Sequence, residues 1–333
     1  MGKILITGPD GFVGYRLCER LLKDGFRLPD GTARQVSVRG AQFAPAPLPE
    51  GCESLVVGDL AEATNWDEAL RGVDGIVHLA ARVHIMDDDA DDPLEAFRHV
   101  NVEGTRRLAE AAVRAGVKRF VFISSIKVQG EATPKEPFKA DDPFAPEDPY
   151  GVSKMEAEQL LTQISEERGM EVTVIRPPLV YGPGVRANFL KLVSAVIRGV
   201  PLPFKLIKNQ RSLIFVDNLI DFIVCCLSHD KAANEAFLVS DGRDLSTAEL
   251  VRALAEAAGR RPMLLPVPPA CMKLAGSLLG KRAEVDRLLG SLAVDISKNK
   301  ERLGWTPPVS VEDGLKETVQ WFLAENRNLR TED

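Results

Sequence analysis

Tyr150 and Lys154 lie four residues apart in a segment that opens on Asp148-Pro149 and closes at Gly169. An aspartate followed by proline marks a helix start: the carboxylate caps free N–H groups, and proline sits where no N–H is needed. Residues i and i+4 of a helix share a face, so the phenol and the ammonium can approach one another. A free phenol titrates near ~10, and a neighbouring cation favours its ionised form. Such a pair can pass a proton to or from a substrate oxygen near neutral pH. The same spacing is common on solvated helix faces, so it needs company to carry meaning. Phe122-Ile123-Ser124-Ser125 offers two hydroxyls at the end of an apolar run. One serine could hold the reacting oxygen while the other caps the strand.

A second chemical feature stands at the head of the chain. The apolar run Lys3–Thr7 passes directly into Gly8-Pro9-Asp10-Gly11-Phe12-Val13-Gly14 and then a helical pattern. Glycines at this spacing permit a tight turn, close approach of the backbone to a pyrophosphate, and close helix–strand packing. The helix start turns unpaired N–H groups and a positive dipole end toward the phosphates. A Gly-rich turn can be purely structural, but directly after a first strand it favours a dinucleotide. A nicotinamide ring would then handle a hydride while Tyr150 handles the proton. Asp59, in Val57-Gly58-Asp59-Leu60, could accept from the adenine amino group or cap a helix. Arg39 stands where the second strand is expected to end, and an arginine there suits the 2′-phosphate of NADP. The sequence therefore leans to NADP, with NAD left open.

These residues need a frame. Runs rich in Val, Ile and Leu at Lys3–Thr7, Gln35–Arg39, Leu55–Val57, Gly75–Leu79, Arg119–Ser124 and Val172–Arg176 read as strands buried on both faces, hence a mainly parallel sheet. Helical patterns alternate with them: one after Gly11, one from Asp92-Pro93 to Gly116, and one from Asp148-Pro149 to Gly169. The alternation predicts an α/β fold, a doubly wound parallel sheet of the Rossmann type with a smaller α/β substrate lobe. Residues 1–177 plus 211–240 form the expected dinucleotide domain, and 178–210 plus 241–330 the expected substrate lobe. The lobe would include a helix over Asn188–Arg198, and strands are expected at Arg211–Val216 and Ala236–Val239. The acidic run Asp87–Asp92 reads as a solvated loop ending in a helix cap.

Composition narrows the partners. The 333-residue chain carries a net charge of −6, which argues against nucleic acid or an anionic membrane as a general partner. Any bound anion must be held locally. Cys18, Cys52, Cys225, Cys226 and Cys271 show no C-x-x-C spacing and no clustered histidines, so neither a metal site nor a disulfide framework is expected. The N-terminal MGKILITG lacks the apolar stretch of a signal peptide, and no apolar run reaches the ~18 residues a membrane span needs. A cytoplasmic protein is the expectation.

Taken in order, the motifs resemble the extended short-chain dehydrogenase/reductases, specifically their nucleotide-sugar epimerase/dehydratase branch. The likeness runs through the glycine loop, Gly58-Asp59-Leu60, His78-Leu79-Ala80-Ala81, Asn101-Val-Glu-Gly104-Thr105, Ser124-Ser125, Tyr150-x-x-x-Lys154 and Arg176-Pro177-Pro-Leu-Val-Tyr181-Gly182-Pro183. It continues through Arg211-Ser-Leu-Ile-Phe-Val-Asp217 and on to Leu303-Gly304-Trp305. The resemblance implies Ser125, Tyr150 and Lys154 as the catalytic triad, with Ser125 selected over Ser124 by its distance from Val128-Gln129-Gly130. It implies cofactor contacts from Gly8, Gly11, Phe12, Val13 and Gly14, from Asp59 and Leu60, from Leu79, Ala80 and Ala81, and from Asn101, Lys154 and Pro177. It further implies that Asn188, Arg211 and a basic residue near Arg287 hold a nucleotide diphosphate sugar, with arginines clamping the phosphates. A homodimer would form through the helices beginning at Pro93 and Pro149. His78 would be a packing residue, and His84 could face substrate.

Two departures shape the expected reaction. Dehydratases of this branch place Asp-Glu after the catalytic hydroxyl residue, whereas Ile126-Lys127 follows Ser125 here, so dehydration lacks its acid and base. Gln129 replaces the usual Tyr, and the run from Ser124 to Glu131 is similar to bacterial 4-keto-sugar reductases. The leading expectation is therefore NADPH-dependent reduction of a 4-keto UDP-hexose in polysaccharide or O-antigen precursor synthesis. The alternative is a UDP-glucose or UDP-N-acetylglucosamine 4-epimerase that retains NAD. More distant readings are a reductase of non-sugar ketones and a non-catalytic dinucleotide sensor.

Overall fold

The computed structural model describes residues 2–27, 33–62, 65–83 and 92–331. His84, Asp87–Asp91 and most of the loop following Arg27 lie outside the described residues. Seven strands form one sheet: β1 (Lys3–Thr7), β2 (Ser37–Gln42), β3 (Glu53–Val56), β4 (Gly75–His78), β5 (Arg119–Ile123), β6 (Glu171–Arg176) and β7 (Glu235–Leu238). Their spatial order is β7-β6-β5-β4-β1-β2-β3, with every neighbouring pair parallel. The order reverses between β1 and β4, which opens a crevice at the carboxyl ends of those strands. This is the Rossmann-type sheet that the buried apolar runs predicted.

Side chains alternate across the strands, so each strand feeds two cores. Ile4 and Ile6 pack on one face with Leu17 and Phe222, while Leu5 packs on the other with Ile76, Leu108 and Leu161. Helix α1 (Phe12–Asp24) covers the first face, together with a later helix at Val216–Ser228. The second face is covered by α3 (Gly104–Ala115) and α4 (Pro149–Arg168), and α2 (Pro93–Arg98) packs against α4 through Phe97 and Tyr150. The expected caps are made: Asp92 Oδ1 accepts from Glu95 N at 3.2 Å and Asp148 Oδ1 from Gly151 N at 2.7 Å.

Three features depart from the sequence expectations. Strand β2 ends at Gln42, so Arg39 lies mid-strand, opposite Leu5 and Glu53, rather than at the strand tip. The expected single helix from Pro93 to Gly116 is interrupted by a π-helical turn at His99–Glu103. Finally, the C-terminal stretch does not sit apart. Leu303, Trp305, Val311, Leu315 and Val319 share one core with Ile4 and Leu17, and Asn299 Nδ2 donates to Leu238 O at 2.9 Å.

The remaining pieces lie beyond β6. Leu179–Tyr181 and Leu213–Phe215 form a separate parallel pair. Helix α5 (Ala187–Ile197) lies between those strands in sequence, and helices at Val216–Ser228, Thr247–Ala257, Pro269–Leu278 and Arg282–Leu289 follow. No helix among the described residues is long and apolar enough to cross a membrane.

Candidate active site

A cleft of about 770 Å³ occupies the crevice at the carboxyl ends of β1, β4 and β5. At one end, Gly8 to Gly14 folds under the start of α1, with Gly11 N donating to Gly8 O at 3.2 Å. A Cβ added to Gly14 would stand 2.0 Å from Gly8 O, so only glycine lets the helix close on the turn. Gly11 caps α1 without a side-chain hydrogen bond, and no acidic residue occupies the first turn. The first N–H groups and the positive helix end are thus available to an anion. Among the described residues, this is the cradle a dinucleotide pyrophosphate requires.

The cleft wall continues through Asp59, Leu60, Leu79, Ala80, Ala81 and Pro177. Asp59 lines the cleft, and its Oδ1 accepts from Ala61 N at 2.8 Å in the turn that follows β3. His78 lies behind the wall as a strut. Its Nδ1 pairs with Thr7 Oγ1 at 2.7 Å and its Nε2 with Thr105 Oγ1 at 2.9 Å, tying β1 and β4 to α3. Burial, then the nearby Lys154 charge, pushes its pKa down to about 3, so it stays neutral.

The two serines at the end of β5 divide the work. Ser124 is buried and its hydroxyl donates to Glu158, which is paired with Arg176 at 2.6 Å. Ser125 instead faces the cleft and caps the short turn Ile126–Val128, its Oγ accepting from Lys127 N at 3.2 Å. Tyr150, in the first turn of α4, reaches the same cleft as Ser125, whose nearby hydroxyl favours the ionised phenol. Gly151 makes this meeting possible: a Cβ there would lie 2.8 Å from Lys127 O, jamming the serine-bearing turn against the tyrosine-bearing one. Phe97 supports the phenol edge-on, with ring centroids 5.9 Å apart.

Lys154, one turn further along α4, is buried beneath the phenol. Its Nζ donates to Ile123 O at 2.8 Å and lies 4.6 Å from the Phe122 ring centre. Burial brings its pKa down to about 7, opposed by the charge of Glu158. Burial pushes Tyr150 up to about 12, and Asp148 adds to the rise, opposed by the Ser125 hydroxyl. In the protein alone, burial and Asp148 outweigh the influences that favour the phenolate. The sequence expectation pairs Lys154 with an oxidised nicotinamide, whose positive charge would add to that side when bound.

Several other residues lie elsewhere than the sequence suggested. Arg39 faces away from the cleft: its guanidinium donates to Glu68 O at 2.9 Å, Ala69 O at 2.7 Å and Glu53 Oε1 at 2.8 Å. It cannot read a 2′-phosphate from there, and the lean to NADP loses its support. Asn101 is buried behind the wall, its amide bonded to Arg82 N and O and to Ser153 Oγ. It joins the π turn to α4 and to the loop after β4 instead of touching the cleft. Asn188 is exposed at the start of α5, next to Ala187, whose φ of 55° is left-handed. Arg211 and Arg287 do lie together, but Arg211 donates to the main-chain oxygens of Arg287 and Gly290, at 3.0 and 3.3 Å. Arg287 Nε stands 3.9 Å from Glu131. Residues that line the cleft unforeseen include Phe43, Arg82, Val83 and Val100. Phe43 was recoverable in principle, since it follows the true end of β2.

Comparison with known proteins now adds to this geometry. A sequence profile described as the NAD dependent epimerase/dehydratase family matches residues 4–240. The chain belongs to that family. It is 48% identical over 326 residues to a UDP-glucose 4-epimerase from Vibrio cholerae, covering 97% of this chain and 96% of that one. It is 28% identical to an N-acetyl-alpha-D-glucosaminyl-diphospho-ditrans,octacis-undecaprenol 4-epimerase from Escherichia coli O157:H7, covering 96% and 94%. Among solved structures, a dTDP-glucose 4,6-dehydratase from Streptomyces venezuelae with NAD bound superposes with a TM-score of 0.77 at 26% identity, covering 98% of each chain. A UDP-glucose 4-epimerase from Thermotoga maritima shares the fold, with a TM-score of 0.75 at 24% identity over 97% and 99%. Two further structures sharing the fold at 22% identity are described in complex with NAD, and the cradle at Gly8–Gly14 fits such a dinucleotide.

Proposed function

We propose that this chain is an NAD-dependent 4-epimerase of a UDP-hexose. The observation that carries the reading is that Ser125, Tyr150 and Lys154 line the same cleft as the glycine cradle. Two further facts favour epimerisation over net reduction. Arg39 is turned away from any 2′-phosphate, and the 48% identical relative is a UDP-glucose 4-epimerase.

In this reading Tyr150 takes the proton of the C4 hydroxyl and later returns it, while Ser125 holds that oxygen by hydrogen bond. Lys154 binds the ribose and places positive charge beneath the phenol. A dinucleotide held by the Gly8–Gly14 cradle would supply reversible hydride transfer at C4. Ile126 and Lys127 offer no carboxylates for removing water, so the keto intermediate persists until it is reduced. Arg211 and Arg287 would clamp the diphosphate, with Asn188 completing its shell, and two chains would pair through α2–α3 and α4.

Purified protein should convert UDP-galactose to UDP-glucose, or the N-acetyl pair, without added cofactor. Denaturation should release close to one NAD per chain. A requirement for added NADPH, consumed mole for mole with a 4-keto UDP-sugar, would replace the epimerase with a 4-keto reductase.

A further inference from the structure

Lys127, two residues after Ser125, breaks the dehydratase pattern, and its side chain is not idle. It is largely buried, and its Nζ bridges two carboxylates, Glu131 Oε1 at 2.8 Å and Asp148 Oδ2. Asp148 is the N-cap of α4, accepting from Gly151 N through its other oxygen, two residues before Tyr150. Lys127 also touches the other catalytic oxygen, because its own backbone N–H donates to Ser125 Oγ. Its carbonyl packs against Gly151 at a distance no side chain would allow. One residue thus grips both the serine-bearing turn and the tyrosine-bearing helix.

The geometry points to Lys127 as a positioning residue of the proton-transfer site: by pairing with Asp148 it shields Tyr150 from the carboxylate that caps its own helix. Charge near the phenol supports this. From α4 and its lead-in, Asp148 raises Tyr150, Glu147 lies further out against Glu131 N, and Lys154 is accompanied by Glu158. From the turn after β5 come Ser125, Lys127 and Glu131. Arg82 lies over Phe97, the ring that supports the phenol, and Arg98 is committed to Glu156. Burial pulls Lys127 down, but Asp148 and Glu131 outweigh it and hold the ammonium charged. Without that ammonium, less of the Asp148 charge would be offset near Tyr150, and ionising the phenol would become harder.

The inference rests on Tyr150 being the proton carrier, and the test keeps the two separable. Asparagine caps a helix as well as aspartate, so Asp148→Asn removes the charge and leaves the cap. In the pH profile of kcat, Lys127→Met should move the Tyr150 limb upward by about one pH unit. Asp148→Asn should move it downward. Lys127→Met placed on the Asp148→Asn background should then shift it by less than about a third as much. Lys127→Arg should restore the wild-type limb. A Lys127→Met shift of equal size on both backgrounds, or no shift on either, overturns the proposal. The same four proteins can be read without turnover. The chain has three tyrosines, Tyr15, Tyr150 and Tyr181, so the ultraviolet phenolate titration of the NAD-bound protein, less that of Tyr150→Phe, isolates Tyr150. If no UDP-sugar turns over, the functional reading fails, and this titration still decides the role of Lys127.

Discussion

Replacing Arg39 by methionine separates a structural arginine from one that reads a cofactor. The side chain is 9% exposed, and its donors meet the carbonyls of Glu68 and Ala69, where the single turn Trp66–Ala69 ends, as well as the Glu53 carboxylate. Methionine keeps most of the buried stem but leaves two or three main-chain oxygens without a donor. Each unsatisfied buried acceptor costs about 1–3 kcal/mol; water can reach part of this edge, since the Glu53 side chain is half exposed. The expected loss is on the order of 2–4 kcal/mol of folding stability, measurable by denaturant unfolding with an unchanged m-value. The affinities for NAD and NADP should keep their ratio within about twofold, because no atom of Arg39 reaches the cleft. Had Arg39 held the 2′-phosphate, one charge-assisted contact worth about 1.5–3 kcal/mol would vanish, and NADP alone would weaken roughly 10- to 100-fold. A selective loss of NADP affinity at unchanged stability would refute the register of β2 on which the NAD assignment depends.

Tyr150→Phe should lower kcat by about 10²- to 10⁴-fold while thermal unfolding and NAD content stay as in wild type; retained turnover would remove Tyr150 from the proton path. Gly14→Ala places a methyl group against Gly8 O, costing roughly 1–3 kcal/mol by overpacking and releasing the dinucleotide, which ultraviolet spectra of the purified protein will show. Lys154 has a folded pKa near 7 against 10.5 unfolded. Between those values the unfolded chain binds the extra proton, so this residue makes stability rise with pH across the window and penalises the fold most below about 7. Lys154→Met should therefore flatten that slope, gaining relative to wild type as pH falls from 10 to 7; an unchanged slope would show that Lys154 is not held in a dry site.

How far the sequence could be read was decided by the distance over which each residue's role is fixed. The Gly8–Gly14 cradle, the Asp92 and Asp148 caps and the Tyr150–Lys154 spacing are local: turn sterics and helix period within a few residues determine them, and they were legible. Arg39 was misplaced because its meaning depends on where β2 stops. That is set by pairing with β1 and β3, and a slip of three residues exchanged a strand tip for a strand centre. Asn101 belongs to the family pattern, yet its work, joining the π turn to Ser153 and Arg82, needs three segments that only the tertiary fold assembles. The packing of the C-terminal stretch was hidden for the same reason, since Trp305 and Leu315 look like any amphipathic segment until they are seen sharing a core with Ile4. Lys127 shows the opposite case. In the sequence it stands only as a missing acid, because its partners Asp148 and Glu131 lie 21 and 4 residues away and the ion pair closes only in the fold. In this site the reacting groups are written into short motifs, whereas the charges that tune them are supplied by contacts between motifs. A substitution outside every motif, at a residue that neutralises Asp148 or packs on Gly151, should therefore alter the pH dependence of turnover more readily than its maximum.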